Sequence, residues 1–133
     1  ARSYFKKEKY DKAITAYNDI LQKNAEYLNV PSKANINIIA DINNNIGLCY
    51  MIQGIYSKAK VYFEEVIKIR HKDNYYSAAD INLSQTYISM GLYNQAIEVA
   101  KKIIKVREKS AVAHKLIAVS YYNQGLLDIT PVR

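Results

Sequence analysis

With 133 residues, half of them hydrophobic, and a formal charge of +7, the chain has material for one compact array. A single cysteine excludes an internal disulfide. The longest uncharged run, residues 42–57, is broken by three asparagines and two glycines, so it falls short of the ~20 apolar residues of a membrane span.

Apolar residues at helical spacing run from Tyr4 through Ala13, Tyr17, Ile20 and Leu21. Residues 28–39 then form an insertion, in which Pro31-Ser32 predicts a helix start and a helix reaching about Gln53. That helix is predicted to be roughly two turns longer than its counterparts, at ~3.6 residues per turn. Its extra turns carry Ile36, Ile38 and Ile39, whose simplest role is to complete the core beneath the first segment; left exposed, they need a neighbour or a partner. Ile46, Gly47 and Tyr50 precede a turn at Gly54-Ile55-Tyr56, and Ala59, Phe63, Val66 and Ile67 follow it. The pattern recurs as Leu83, Ser84, Tyr87, the turn Gly91-Leu92-Tyr93, then Ala96, Ala100, Ile103 and Ile104. Ile117, Ala118 and Tyr121 lead into a further turn at Gly125-Leu126-Leu127, and Thr130-Pro131 sits where another helix would begin. Glu8-Lys9-Tyr10-Asp11-Lys12-Ala13 is an earlier copy without the glycine.

Each unit therefore reads as helix, tight turn, helix. Small residues at Gly47, Ser84 and Ala118 let paired helices approach closely, and the turn glycines are predicted to take positive φ as helix C-caps. Tyr10, Tyr56, Tyr93 and Leu127 are spaced 46, 37 and 34 residues apart, in the range of helical solenoids. Solenoids present an extended surface to partners, so the spacing points to a binding scaffold without naming what is bound.

Ile46-Gly47, Tyr50, Gly54, Tyr56, Ala59 and Phe63, with their nearly matching third copy, resemble the tetratricopeptide repeat family over almost the whole chain. The family's tryptophan place holds Asn43, Asp80 and His114, and its proline place holds Ala25, His71 and Glu108. Without those prolines, helix ends are expected to run on. The glycine-apolar-tyrosine turn followed by alanine disfavours a pentatricopeptide, RNA-binding reading. The resemblance implies an all-α, right-handed superhelical solenoid of antiparallel helix pairs. Its repeats are expected at about 1–27, 40–73, 77–110 and 111–133, about three to four in all. Ala1 is not a starting methionine and the first repeat lacks most of its first helix, so the chain reads as a piece of a longer protein. Its compartment is open, with the cytoplasm as default and the periplasm an alternative if a signal has been removed.

In the family it resembles, first helices line a concave groove. That implies a peptide-binding face made of Asn44, Asn45, Leu48, Met51 and Ile52, then Ile81, Asn82, Gln85 and Ile88, then Lys115, Val119, Tyr122 and Asn123. Asp41, Ala78, Ser89 and Val112 flank these sets. An asparagine amide can pair with both the N–H and C=O of an extended peptide, which is the family role Asn45 and Asn82 would inherit; Leu116 breaks that ladder. Each such bond is worth ~0.5–1.5 kcal/mol net, against ~1.5–3 kcal/mol for a fully buried apolar side chain. The expected guest is therefore an apolar or amphipathic segment: a peptide, another protein, or a second copy of the chain. The carboxylate clamp of some relatives needs several cations here, and only Lys115 qualifies.

Lys68, Arg70, Lys72, Lys101, Lys102, Lys105, Arg107 and Lys109 gather near the ends of second helices. Such clusters bind the phosphates of nucleic acid or of an anionic membrane, or an acidic protein, but the helix dipole also favours cations there, and nucleic acid is the lesser expectation; a third reading makes the array a structural spacer or self-assembly element of a larger protein. Cys49 beside Tyr50 reads as a small buried hydrophobe. His114 is expected at a helix interface and His71 at a repeat junction. Neither a zinc site nor a Cys-His pair is in reach, and Glu64 and Glu65 point apart, so no enzyme and no cofactor are predicted.

Overall fold

The computed structural model describes the backbone over residues 2–70 and 78–129, and side-chain surroundings over 6–70 and 78–127. His71, Lys72 and Thr130-Pro131 lie outside the described residues, as do the surroundings of the Tyr4 side chain. Seven helices and no strands are present among them: α1 (Arg2–Lys23), α2 (Ala25–Leu28), α3 (Lys33–Ile52), α4 (Tyr56–Arg70), α5 (Ala78–Ser89), α6 (Tyr93–Val106) and α7 (Ala111–Ile129). They fall into two compact units, Ala1–Asp73 and Asn74–Arg133.

In the first unit α3 starts where Pro31-Ser32 predicts. Ser32 is extended, and its hydroxyl accepts from the Asn35 N–H at 3.1 Å, satisfying one of the free donors of the first turn. Buried Asn35 then donates its amide to the carbonyls of Tyr27 and Val30, both at 2.9 Å, fastening the segment after α2 to the base of α3. Ile36 and Ile38 do not complete the core as expected. Both are exposed, and Asn35 and Ala40 occupy the buried positions instead. Twenty residues long, α3 exceeds twelve-residue α5 by about two turns but nineteen-residue α7 by only one residue.

Two turns follow one design. Gly54 and Gly91 both have φ of +78°, the left-handed conformation that glycine adopts without a Cβ penalty. Behind each glycine the chain closes a paired cap: Gly54 N–H to Met51 O (3.0 Å) with Ile55 N–H to Tyr50 O (2.9 Å), and Gly91 N–H to Ile88 O (3.0 Å) with Leu92 N–H to Tyr87 O (2.8 Å). The chain then reverses, laying α4 along α3 and α6 along α5.

Neither of the other two predicted turns forms. α1 is continuous through Glu8-Lys9-Tyr10, and Gly125 lies inside α7 with ordinary φ. Glycine permits a reversal without enforcing one; what enforces it at Gly54 and Gly91 is the burial gained when the next helix folds back. The expected run-on of helices at missing prolines fails at α6, which stops at Val106, short of Glu108.

The core of the first unit is Ile46, Ala59, Phe63 and Val66, all essentially inaccessible, with Tyr50 and Tyr62 stacked at 5.7 Å beside it. α1 docks on α3 through Ile14 against Ile42, Ile46 and Cys49. In the second unit Ala96, Ala100 and Ile103 of α6 pack with Leu83, Ser84 and Tyr87 of α5, and the Ser84 hydroxyl donates to Ala96 O at 2.9 Å. α7 contributes Ala113, Leu116 and Ser120 to this core. Ala118 and Tyr121, predicted to be its packing residues, are exposed, because the face they occupy meets no helix among the described residues.

Candidate functional site

α3 brings Asn44, Asn45, Leu48, Met51 and Ile52 to one side, as the three- and four-residue spacing requires. Ile52 is exposed and the other four are half-buried. The opposite side of the helix is closed by Ile42, Ile46 and Cys49, which anchor it to α1, so these five are left facing outward by the packing that holds α3 in place.

In the second unit α5 carries Ile81, Asn82, Gln85 and Ile88, and α7, packed against α5, carries Lys115, Val119, Tyr122 and Asn123. Gln85, Lys115 and Tyr122 are exposed; Ile81, Asn82, Ile88, Val119 and Asn123 are half-buried. The Asn123 amide already donates to Val119 O at 2.8 Å, and Thr86 donates to Asn82 O at 2.7 Å. Leu116, at the register position of Asn45 and Asn82, is buried in the core of the unit. α7 thus uses for packing the position that holds an asparagine in α3 and α5. The flanking Asp41, Ala78, Ser89 and Val112 are exposed.

The residues at the tryptophan place have different fates. Asn43 is buried and returns its amide to Ile39 O at 2.9 Å. His114 does not pack between helices as expected: it is exposed, with Nε2 3.0 Å from Glu108 O across the α6–α7 connection. Cys49 is buried, and loss of hydration pushes its thiol above the ordinary value, which leaves it protonated and unreactive at neutral pH. Glu64 and Glu65 are exposed, and Glu64 lies 3.8 Å from Lys60 in a surface pair. Among the described residues no group of three His, Cys, Asp or Glu could hold a metal ion, and no helix is long and apolar enough to cross a membrane.

Lys68, Lys101, Lys102, Lys105, Arg107 and Lys109 are exposed, whereas Arg70 is half-buried. On α6 the lysines stand opposite Ala96, Ala100 and Ile103, so one face of that helix is core and the other is cationic. A shallow hollow lies between Lys7, Asp11, Thr15 and Asp19 on the outer side of α1. One helix lines it alone, so it has no opposing wall to enclose a ligand.

Sequence reasoning missed the faces of α1 and α7 that carry Ile20 and Tyr121. Both residues were assigned to packing, and both are exposed. The signal was present in the repeat register itself, since each face matches one that its own repeat partner covers elsewhere in the chain.

Family models described as tetratricopeptide repeat match residues 1–26, 40–73 and 81–110. No curated protein sequence matches the chain significantly.

Proposed function

Since the chain belongs to the tetratricopeptide repeat family, whose repeats generally mediate protein–protein interaction, we propose that it is a non-catalytic scaffold whose units each bind an apolar or amphipathic segment on the outward faces of their own first helices, α3 in one and α5 with α7 in the other. The observation that carries this reading is the persistence of apolar side chains on those faces after folding. Leu48, Met51 and Ile52 remain accessible on α3, as do Ile81 and Ile88 on α5 and Val119 and Tyr122 on α7. Burying three or four of them against a guest supplies more free energy than the neighbouring amides, at ~1.5–3 kcal/mol for each side chain fully covered. Asn45, and Asn82 beside Thr86, then orient the guest backbone.

The test is retention of a partner from an extract of the source cells by the wild type beside Met51→Glu and Ile88→Glu, at low and moderate salt. A protein held in moderate salt by the wild type and lost by either variant, at unchanged helicity, supports the reading. The cationic face of α6 carries a second reading, docking to an acidic partner. It predicts capture that ignores both variants, falls with salt, and is lost with Lys101→Glu and Lys105→Glu.

A further inference from the structure

Along α3, Ala34, Ile38, Asp41, Asn45, Leu48 and Ile52 follow one another at steps of four, three, four, three and four residues. The mean step equals the ~3.6 residues of a helical turn, so the six form one line parallel to the axis. Ala34 and Asp41 are exposed, Ile38 and Ile52 are 40% and 59% accessible, and Asn45 and Leu48 are half-buried. Ile38, left uncovered by the packing of α3, thus stands in line with Leu48 and Ile52.

Between Ile38 and Leu48 the line holds a carboxylate. Lys33 and Asp41 are the only formal charges on α3, and they lie ~12 Å apart along the axis, beyond the ~8 Å screening length of physiological salt. The residues one turn from Asp41 are Asn37, Ile38, Asn44 and Asn45, all uncharged. Asp41 makes no ion pair among the described residues. It stands beyond the first turn, where the helix dipole would favour an acid, and Asp is among the weaker formers of a helix interior. Folding therefore gains nothing from a carboxylate here. At the register of Asp41, Leu48 and Ile52, α5 has Ala78, Gln85 and Ser89, and α7 has Val112, Val119 and Asn123. The acid is peculiar to α3.

A guest that covers Ile38 and Leu48 together has to pass over Asp41. The carboxylate then leaves water, which is costly unless a donor of the guest takes the place of the lost hydration. A wholly apolar segment is thereby disfavoured and an acidic one repelled, so the same group that attracts one guest excludes others. We propose that the guest of the first unit is an apolar segment interrupted by a single Lys or Arg, which pairs with Asp41 while its apolar neighbours cover Ile38 on one side and Leu48 with Ile52 on the other. The inference rests on the scaffold reading of α3 and names the chemistry of its partner. At ~1.5 Å per residue, Asp41 lies ~4.5 Å from Ile38 and ~10.5 Å from Leu48 along the axis, so the cation sits nearer the end of the guest that covers Ile38. The outward residues named on α5 and α7 include a base, Lys115, and no acid, so the second unit makes no such demand.

Selection from a displayed library of random peptides, long enough to span the ~21 Å from Ile38 to Ile52, tests this on the 133-residue chain. Wild type is compared with Asp41→Lys and Ile52→Glu, both at exposed positions outside the core, with helicity checked for each. Among peptides that wild type captures and Ile52→Glu loses, a Lys or Arg flanked by apolar residues is expected. Asp41→Lys is expected to select Asp or Glu at that place instead. It should bind the wild-type peptides about fivefold more weakly or worse, as loss of an exposed ion pair and gain of a like charge imply. Peptides that need Ile52 but show no basic preference, or the same preference on Asp41→Lys, would overturn the inference and leave the binding face of α3 standing. Absence of any peptide that needs Ile52 would overturn that reading of α3 and the inference with it.

Discussion

The α3–α4 and α5–α6 hairpins solve one packing problem with opposite choices of side chain. At the closest approach of the first pair, Gly47 stands against the buried ring of Phe63. At the same register in the second pair, Ser84 replaces the glycine and Ala100 replaces the phenylalanine. The freed volume admits a hydroxyl, which is bonded to Ala96 O rather than left unpaired. The joint thus conserves filled space and satisfied polarity, whatever residue supplies them. Interiors packed at crystal-like density require this, since neither a void nor an overlap is tolerated.

Phe63→Ala breaks the first solution most severely. Its expected cost is about 3–5 kcal/mol, read as a lower denaturation midpoint, because Gly47 has no side chain with which to fill the cavity. Gly47→Ser alone is expected to cost about 1–3 kcal/mol through overlap with the ring. The double variant imports the α5–α6 arrangement and should be more stable than Phe63→Ala by at least about 0.5 kcal/mol, a coupling characteristic of touching residues. Strict additivity of the two losses would show that the hairpins are not interchangeable.

A second contrast, between glycines in turns and the glycine within a helix, predicts opposite signs. Gly54→Ala and Gly91→Ala place a Cβ at φ +78° and should each cost about 1–2 kcal/mol. Gly125→Ala meets no atom within 4 Å and replaces a poor helix former within α7, so it should stabilise by up to ~1 kcal/mol. Thermal melts of the three variants decide the matter. A destabilising Gly125→Ala would mean that the chain turns there after all.

The same contrast marks what the sequence could convey. Gly54-Ile55-Tyr56 and Gly91-Leu92-Tyr93 were legible as turns because a complete second helix follows each at the right spacing. Gly125 carries the same local signal without a described helix to fold back, and the Glu8-Lys9-Tyr10 copy lacks the glycine. Pattern alone did not separate permission to turn from the burial that drives it. Helical periodicity groups Leu48 with Met51 on α3 and Ile81 with Ile88 on α5, and Tyr122 with Val119 on α7. It was silent on depth, which depends on neighbours far away in sequence: Leu116 and Asn82 share a register, yet only Leu116 is buried. Ile36 and Ile38 were assigned inward on hydrophobicity, while Asn35, whose amide donates to the carbonyls of Tyr27 and Val30, is the residue buried there.

Smaller effects sharpen the comparison between the two pairs. Ser84→Ala should cost about 0.5–1.5 kcal/mol for the lost hydrogen bond, without orphaning an acceptor, because Ala96 O lies within the helical ladder of α6. If the loss approaches that of Phe63→Ala, the hydroxyl rather than the shared volume holds α5 to α6.

The smallest expected effect concerns a position that the units fill with three chemistries. Cys49, Thr86 and Ser120 are equivalent and all buried. Thr86 and Ser120 return their hydroxyls to the carbonyls four residues back, each at 2.7 Å. Because a helix supplies that acceptor at every such site, Cys49→Ser should change stability by less than ~1 kcal/mol at neutral pH. The thiol adds a dependence on pH that the hydroxyls lack. Burial raises its folded pKa above the ordinary 9.0, so the folded state holds the proton more tightly than the unfolded one. Stability from this source is complete below pH 9.0 and declines as pH rises through the folded value, where the unfolded chain gains by ionising. Denaturant titrations at neutral and alkaline pH should therefore show wild type losing more stability than Cys49→Ser on the alkaline side. Parallel losses would mean that the thiol reaches water in the folded protein and that α1 covers this part of α3 less tightly than the Ile14, Ile42 and Ile46 packing implies.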